Sequence, residues 1–200
     1  MTRGVRRRLL LLAVLVVLAG CGGNTTQATP AGFTVRTVAE PSFSIALPKG
    51  WRSFDSRSSR AANAAAGRNS ALRMALKLLG KPDSPIKLIG LDPAARTFVT
   101  NMNVLQTRVP SSLSFEELAR TEAAQIKLVS GVKEMRQQQT VVPGGRTLHL
   151  SYRTRSNAVV HQYFVKHDAV LYVLTYTSAP AESAPYAKIF EMSAHTFQVG

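Results

Sequence analysis

Hydrophobic positions run unbroken from Leu9 to Ala19. No aromatic or large aliphatic residue then occurs between Gly22 and Gly32, and from Phe33 onward apolar residues recur at spacings that switch between the period of a strand and that of a helix. The β-rich stretches Phe33–Val38 and Phe43–Leu47, parted by Glu40-Pro41, predict two strands, the second closed by the turn sequence Pro48-Lys49-Gly50-Trp51. Residues 58–80 are rich in alanine. At about 100° per residue, Leu72, Ala75, Leu76 and Leu79 fall on one stripe and Arg73, Lys77 and Lys81 on the opposite side, which predicts an amphipathic helix. Continuing that helix backward would carry Arg57 and Arg68 over the apolar stripe. A break is therefore expected near Gly67, with Asn69 or Ser70 as cap and Gly80-Lys81-Pro82 as the stop.

Ile86–Leu91, ended by Asp92-Pro93, and Arg96–Val109, ended by Pro110, read as strands. Ser114 followed three residues later by Glu117 is a capping box, with Leu113 and Leu118 placed as a hydrophobic staple, so a helix is predicted from there to Ser130, showing Leu118, Ala119, Ile126 and Val129 to the core. Four strands follow over Val132–Val142, Arg146–Arg155, Ala158–Lys166 and Ala169–Thr177. The intervening turns are Pro143-Gly144-Gly145, Ser156-Asn157 and His167-Asp168, which makes the strands antiparallel neighbours. A last helix, about Glu182 to Ala194, aligns Tyr186, Ile189, Phe190 and Ser193 on one side.

The opening run changes how the rest is weighed. Arg3, Arg6, Arg7 and Arg8 precede it without an acid, and eleven apolar residues are too few to cross a hydrocarbon core of about 30 Å, which takes roughly 20. The pattern is that of a secretory signal. It ends in Leu18-Ala19-Gly20-Cys21, which resembles the lipobox of bacterial lipoproteins. The resemblance implies cleavage between Gly20 and Cys21 and diacylglyceryl modification of the Cys21 thiol, with the protein held on the extracytoplasmic side of the cell membrane. Residues 1–20 are thus expected to be a signal peptide, 21–32 a flexible tether, and 33–200 a single domain. Cys21 is the only cysteine, so a lipidated chain has no thiol left for a disulfide or a metal.

Charge shifts accordingly. Four of the 25 basic residues lie in the signal, leaving 21 against 11 acidic ones, a charge of +10. Outside the cytoplasm this charge points to phospholipid headgroups or wall polymers and away from nucleic acid. Residues 49–96 hold ten basic groups and three acidic ones, and the predicted basic helix face, Arg73, Lys77 and Lys81, is the candidate contact for an anionic surface.

The segment Ser42-Phe43-Ser44-Ile45-Ala46-Leu47-Pro48-Lys49-Gly50-Trp51 is similar to the entry of PsbP-like domains. The β-hairpin around His161–Val165 and Leu171–Tyr176, the closing helix and the terminal Ser193-x-x-x-Phe197 resemble their end. The resemblance covers most of 33–200. It implies an α+β fold, an antiparallel sheet of six to eight strands with a C-terminal meander, flanked by helices in an α/β sandwich. Trp51 is read as an anchor for its turn.

Candidate chemistry is sparse. Taken as a two-residue turn, Ser156-Asn157 sets residue 155 opposite 158. His161 then faces Tyr152 and His149 faces Phe164, three pairs apart, or about 10 Å. His167 falls in a turn, His195 at a helix end, and no HExxH spacing occurs, so no metal is expected. There is no G-x-S-x-G and no Ser-x-x-Lys at a helix start. Glu116, Glu117 and Glu122 lie in the first two turns of their helix, where its dipole favours them. The chain reads as a non-enzyme without a cofactor: a binding or assembly module for an envelope protein or polymer. The alternative is a carrier holding a lipid or other amphiphile in a pocket between sheet and helix, and a hydrolase comes third.

Overall fold

The computed structural model describes residues 28–40, 42–58, 70–81, 83–95, 99–130, 132 and 134–200. Gly20 and Cys21, the expected signal, most of the tether and the predicted break near Gly67 with its cap candidate Asn69 lie outside the described residues.

The chain runs through β1 (Phe33–Val38), β2 (Phe43–Pro48), β3 (Arg52–Asp55), α1 (Ser70–Leu79), β4 (Ile86–Leu91), β5 (Asn101–Arg108), α2 (Phe115–Ser130), β6 (Met135–Val142), β7 (Gly145–Arg153), β8 (Val159–His167) and β9 (Val170–Ser178). A 3-10 turn (Pro180–Glu182), α3 (Ser183–Ala194) and β10 (Gln198–Val199) complete it. Seven strands form an antiparallel sheet in the order β3-β4-β5-β9-β8-β7-β6, and β1-β2-β10 form a second, small one. The fold is α+β with a C-terminal meander, as the strand and helix periods predict. Two short strands escaped the sequence reading. β3 has four residues and β10 two, too few for alternation to register. Without them, the separation into two sheets could not be foreseen.

Three layers result. On one face of the large sheet, Leu88, Met102, Val104, Tyr163, Val165, Tyr172, Leu174 and Tyr176 meet Phe43, Ile45 and Leu47 of the small sheet, Phe190 and Ala194 of α3, and Phe197. On the other face α1 and α2 cover different stretches of the sheet. Leu76 and Leu79 of α1 pack on Phe54, Ile89 and Leu91, while Phe115, Leu118, Ala119 and Ala123 of α2 pack on Leu148, Leu150, Tyr152, Val160 and Phe164. Each fully buried leucine or phenylalanine contributes about 1.5–3 kcal/mol.

Local chemistry fixes the ends. Ser114 Oγ accepts from Glu117 N at 3.1 Å, and Glu117 Oε2 accepts from Ser114 N at 3.0 Å, so the capping box forms as written; Leu113 and Leu118 share one cluster. Gly50 has φ +90° in a turn closed by Trp51 N donating to Pro48 O at 3.1 Å, a backbone state that favours glycine. This turn carries the chain from one sheet to the other, and Trp51 is buried where it lands.

The small sheet is finished by side chains. β10 pairs with β2 only at Phe43 and Ser44, leaving Ala46 beyond its end. Thr196 Oγ1 accepts from Ala46 N at 2.7 Å, and Ser193 Oγ donates to Ala46 O at 2.7 Å and accepts from Tyr176 Oη at 3.0 Å, all buried.

One expected register is corrected. Ser151 pairs with His161 and His149 with Tyr163. The β7–β8 connection is a three-residue loop, Arg155-Ser156-Asn157, in which Thr154 N donates to Ala158 O at 2.9 Å and Asn157 takes φ +64°. A one-residue slip turns side chains to the other face. His149 and His161, expected three pairs apart along the hairpin, therefore share one face and come together.

Candidate functional site

All three predicted surface cations, Arg73, Lys77 and Lys81, are exposed on or just beyond α1. Beside them stand two residues that the sequence reading passed over: Met74 is 67% and Leu78 is 38% exposed. With Leu72 at 0° on a helical wheel, the cations fall at about 100–180° and Met74 and Leu78 at about 200–240°, outside the buried stripe. The signal was therefore in the sequence, as a second, narrower apolar pair at i and i+4. The face is basic along one side and apolar along the other.

At the C-terminal end of α1 this face meets a cleft of about 430 Å³, lined among others by Glu40 of the β1–β2 turn, Arg57 after β3, Lys81, Ser84 and Lys87. Lys87 is the extra residue of a β-bulge: Ile86 pairs with Leu105 and Leu88 with Val104. Such bulges re-aim a side chain out of the ladder. Asp55 also lines the cleft, but Oδ1 already accepts from Arg57 N, Ser58 N and Ser58 Oγ at 2.8–3.1 Å. Arg57, Lys81 and Lys87 have no ion-pair partner among the described residues.

The corrected register produces the densest chemistry among the described residues. His149 Nε2 lies 3.1 Å from His161 Nδ1, and His149 Nδ1 lies 3.1 Å from Gln138 Nε2. A consistent proton arrangement has the Gln138 amide donating to Nδ1 of His149, whose Nε2–H donates to His161. His149 stacks on the Tyr163 ring at 4.2 Å, and His161 meets the edge of Phe190 from α3. Burial, then the charges that His161 and His195 would carry, push His149 down to about 4. Burial also lowers His161, opposed by Glu191. Both imidazoles are neutral at pH 7 and joined by a hydrogen bond. Among the described residues no three His, Cys, Asp or Glu side chains converge as metal ligands.

Two of the three glutamates of α2, Glu116 and Glu117, are occupied structurally. Glu116 Oε1 accepts from Arg146 Nη2 at 2.8 Å, which holds its carboxyl below the usual range, and Glu117 is lowered by its bond to Ser114.

At the far edge of the large sheet, β6 is paired with β7 along all eight residues, from Met135–Tyr152 to Val142–Gly145, without a bulge. Its outer side carries no strand among the described residues. Arg136, Gln137, Gln138 and Gln139 are exposed, as is Val141 at 68%.

No protein-family model matches the sequence, nor does any curated protein. Among solved structures, the chain is similar to the solution structure of cyanobacterial PsbP (CyanoP) from Synechocystis sp. PCC 6803. That match has 15% identity and a TM-score of 0.54, covering 92% of this chain and 99% of that one. The fold is PsbP-like. A crystal structure of PA94, a protein of unknown function from Pseudomonas aeruginosa, matches at 12% identity and a TM-score of 0.49, covering 82% of this chain and 94% of that one. The PsbP-like frame places the α1 face and its cleft at the β3–β4 end of the large sheet and the open β6 edge at the opposite end. The two surfaces are five strand spacings apart measured from β4, about 24 Å at about 4.8 Å per strand.

Proposed function

We propose that the protein is an extracytoplasmic lipoprotein, anchored through lipid on Cys21, whose PsbP-like domain is a non-catalytic binding module for an envelope protein. The observation that carries this reading is the β6 edge. Sheets usually protect an edge by keeping it short or placing proline, lysine or a bulge in it. The opposite edge, β3, is four residues long, whereas β6 offers eight with a single charge, Arg136, and an exposed Val141. Such an edge accepts an extended segment by main-chain hydrogen bonds, with alternate side chains giving selectivity. The cleft at the end of α1, of about 430 Å³, is rimmed largely by charged and polar side chains, a poor lining for an acyl chain, so it gives the carrier reading no support.

The test is a photo-crosslinking residue at Val141 in cells, with the same residue at Leu128, exposed on α2, as control. The expected result is an adduct with one envelope protein from position 141, lost when Gln137→Lys and Gln139→Lys are introduced together. Identical products from both positions, or adducts indifferent to the two lysines, would refute strand addition at β6. Fractionation of Cys21→Ser protein tests the anchor separately: it is expected to leave the membrane pellet at high salt.

A further inference from the structure

The geometry points to a second contact with the membrane, made by the protein itself: the α1 face lies on an anionic lipid bilayer, with Met74 and Leu78 entering the headgroup boundary and the cleft behind Lys81 receiving a phosphate-bearing headgroup. This deepens the membrane-held reading above and rests on it for the side of the membrane concerned. Three observations combine. First, Met74 and Leu78 are exposed at i and i+4, a placement that leaves apolar surface in water on a helix whose own core stripe, Leu76 and Leu79, is already fully buried. Second, Arg73, Lys77 and Lys81 flank that pair, which is the composition of a helix lying in a membrane interface: apolar residues on one side, Lys and Arg on the other. Third, the arc of charge continues past the end of the helix into the cleft, where Arg57, Lys81 and the bulged Lys87 outnumber Glu40, and Asp55 is engaged by its own turn.

The tether permits this orientation. Eleven residues, twelve Cα-to-Cα steps, separate Cys21 from Phe33, a reach of up to about 40 Å, more than the thickness of the layers between β1 and α1. With α1 on the bilayer, the β6 edge is held about 24 Å to the side, across the sheet. A tether alone would leave the edge free to face any direction.

The experiment uses the chain from residue 21 with Cys21→Ser, so that no acyl group contributes and no other cysteine is present. An environment-sensitive dye on Met74→Cys is compared with the same dye on Val141→Cys, using phosphatidylglycerol-containing vesicles, pure phosphatidylcholine vesicles and soluble polyphosphate. A blue shift at position 74 with the anionic vesicles only, none at position 141, and weakening at high salt would support the proposal. In unlabelled protein, replacing Arg73, Lys77 and Lys81 by Gln should lower vesicle partitioning about fivefold per residue. Met74→Gln with Leu78→Gln should lower it about tenfold or more while leaving the fold intact, both side chains being exposed. Vesicle binding without a shift at position 74, an equal shift at 141, or binding to polyphosphate as tight as to vesicles would overturn it, the last in favour of an anionic polymer. Crosslinking from Val141 reads the β6 edge independently, so either proposal can fail while the other stands.

Discussion

Acid should loosen this domain through the His149–His161 pair, and the size of the effect follows from the geometry. A proton added to either ring breaks the 3.1 Å Nε2–Nδ1 hydrogen bond or places a charge beside Tyr163 and the Phe190 edge. The unfolded state binds protons with the ordinary histidine pKa of 6.5, whereas in the fold His149 is pushed down to about 4 by burial and its neighbours. Between those values the unfolded chain holds more protons than the folded one, so stability rises with pH. The contribution is complete above pH 6.5 and is lost as pH falls toward 4. At 1.36 kcal/mol per pKa unit the full shift corresponds to about 3 kcal/mol, and the partial opening of the ring to solvent reduces this to about 1–2 kcal/mol. The depressed His161 adds in the same direction. Urea unfolding at pH 7.5, 6.5, 5.5 and 4.5, followed by the fluorescence of Trp51, the single tryptophan, reads the loss directly. A melting temperature lower by about 3–6 °C at pH 4.5 is the thermal equivalent. The variant carrying His149→Gln and His161→Gln should be flatter over this window by about 1–2 kcal/mol. Equal slopes for wild type and variant between pH 6.5 and 4.5 would refute the reasoning.

Two further substitutions test how the layers are joined. Thr196→Val removes the hydroxyl that accepts from Ala46 N, leaving a buried donor unpaired; about 1–3 kcal/mol of stability should disappear in the same urea assay, with Thr196→Ser recovering most of it. Ser114→Ala deletes the N-cap of α2 and should cost about 1 kcal/mol, seen as earlier hydrogen exchange in the first turn of α2 with little change in the large sheet.

What the sequence made legible was local. The capping box at Ser114 and Glu117 involves residues three apart and forms as read; the stripe of Leu76 and Leu79 depends on one helix's period and is buried as read. The β7–β8 register was misread because Ser156-Asn157 is a plausible two-residue turn, and only the loop closure between Thr154 and Ala158 decides for three residues with Asn157 left-handed. That single residue of slip is the difference between two dispersed histidines and a hydrogen-bonded pair. The cleft behind Lys81 was also out of reach, since it needs the β1–β2 turn, the end of β3, the bulge at Lys87 and the end of α1 in one place, none of which a period reveals. The open β6 edge required the whole strand order, which is set by long-range pairing and not by the strand's own residues.

The clasp of Ser193 and Thr196 on Ala46 joins positions about 150 residues apart, and β10 pairs with β2 across a similar interval. A ribosome makes Ala46 long before Thr196, so the small sheet has no third strand and no clasp until nearly the whole chain has been synthesised. Contacts of such sequence separation also form slowly. The early strands therefore wait, unable to lock, while the rest of the polypeptide is delivered. The last eight residues act as the catch that shuts the fold once the rest of the chain has been made.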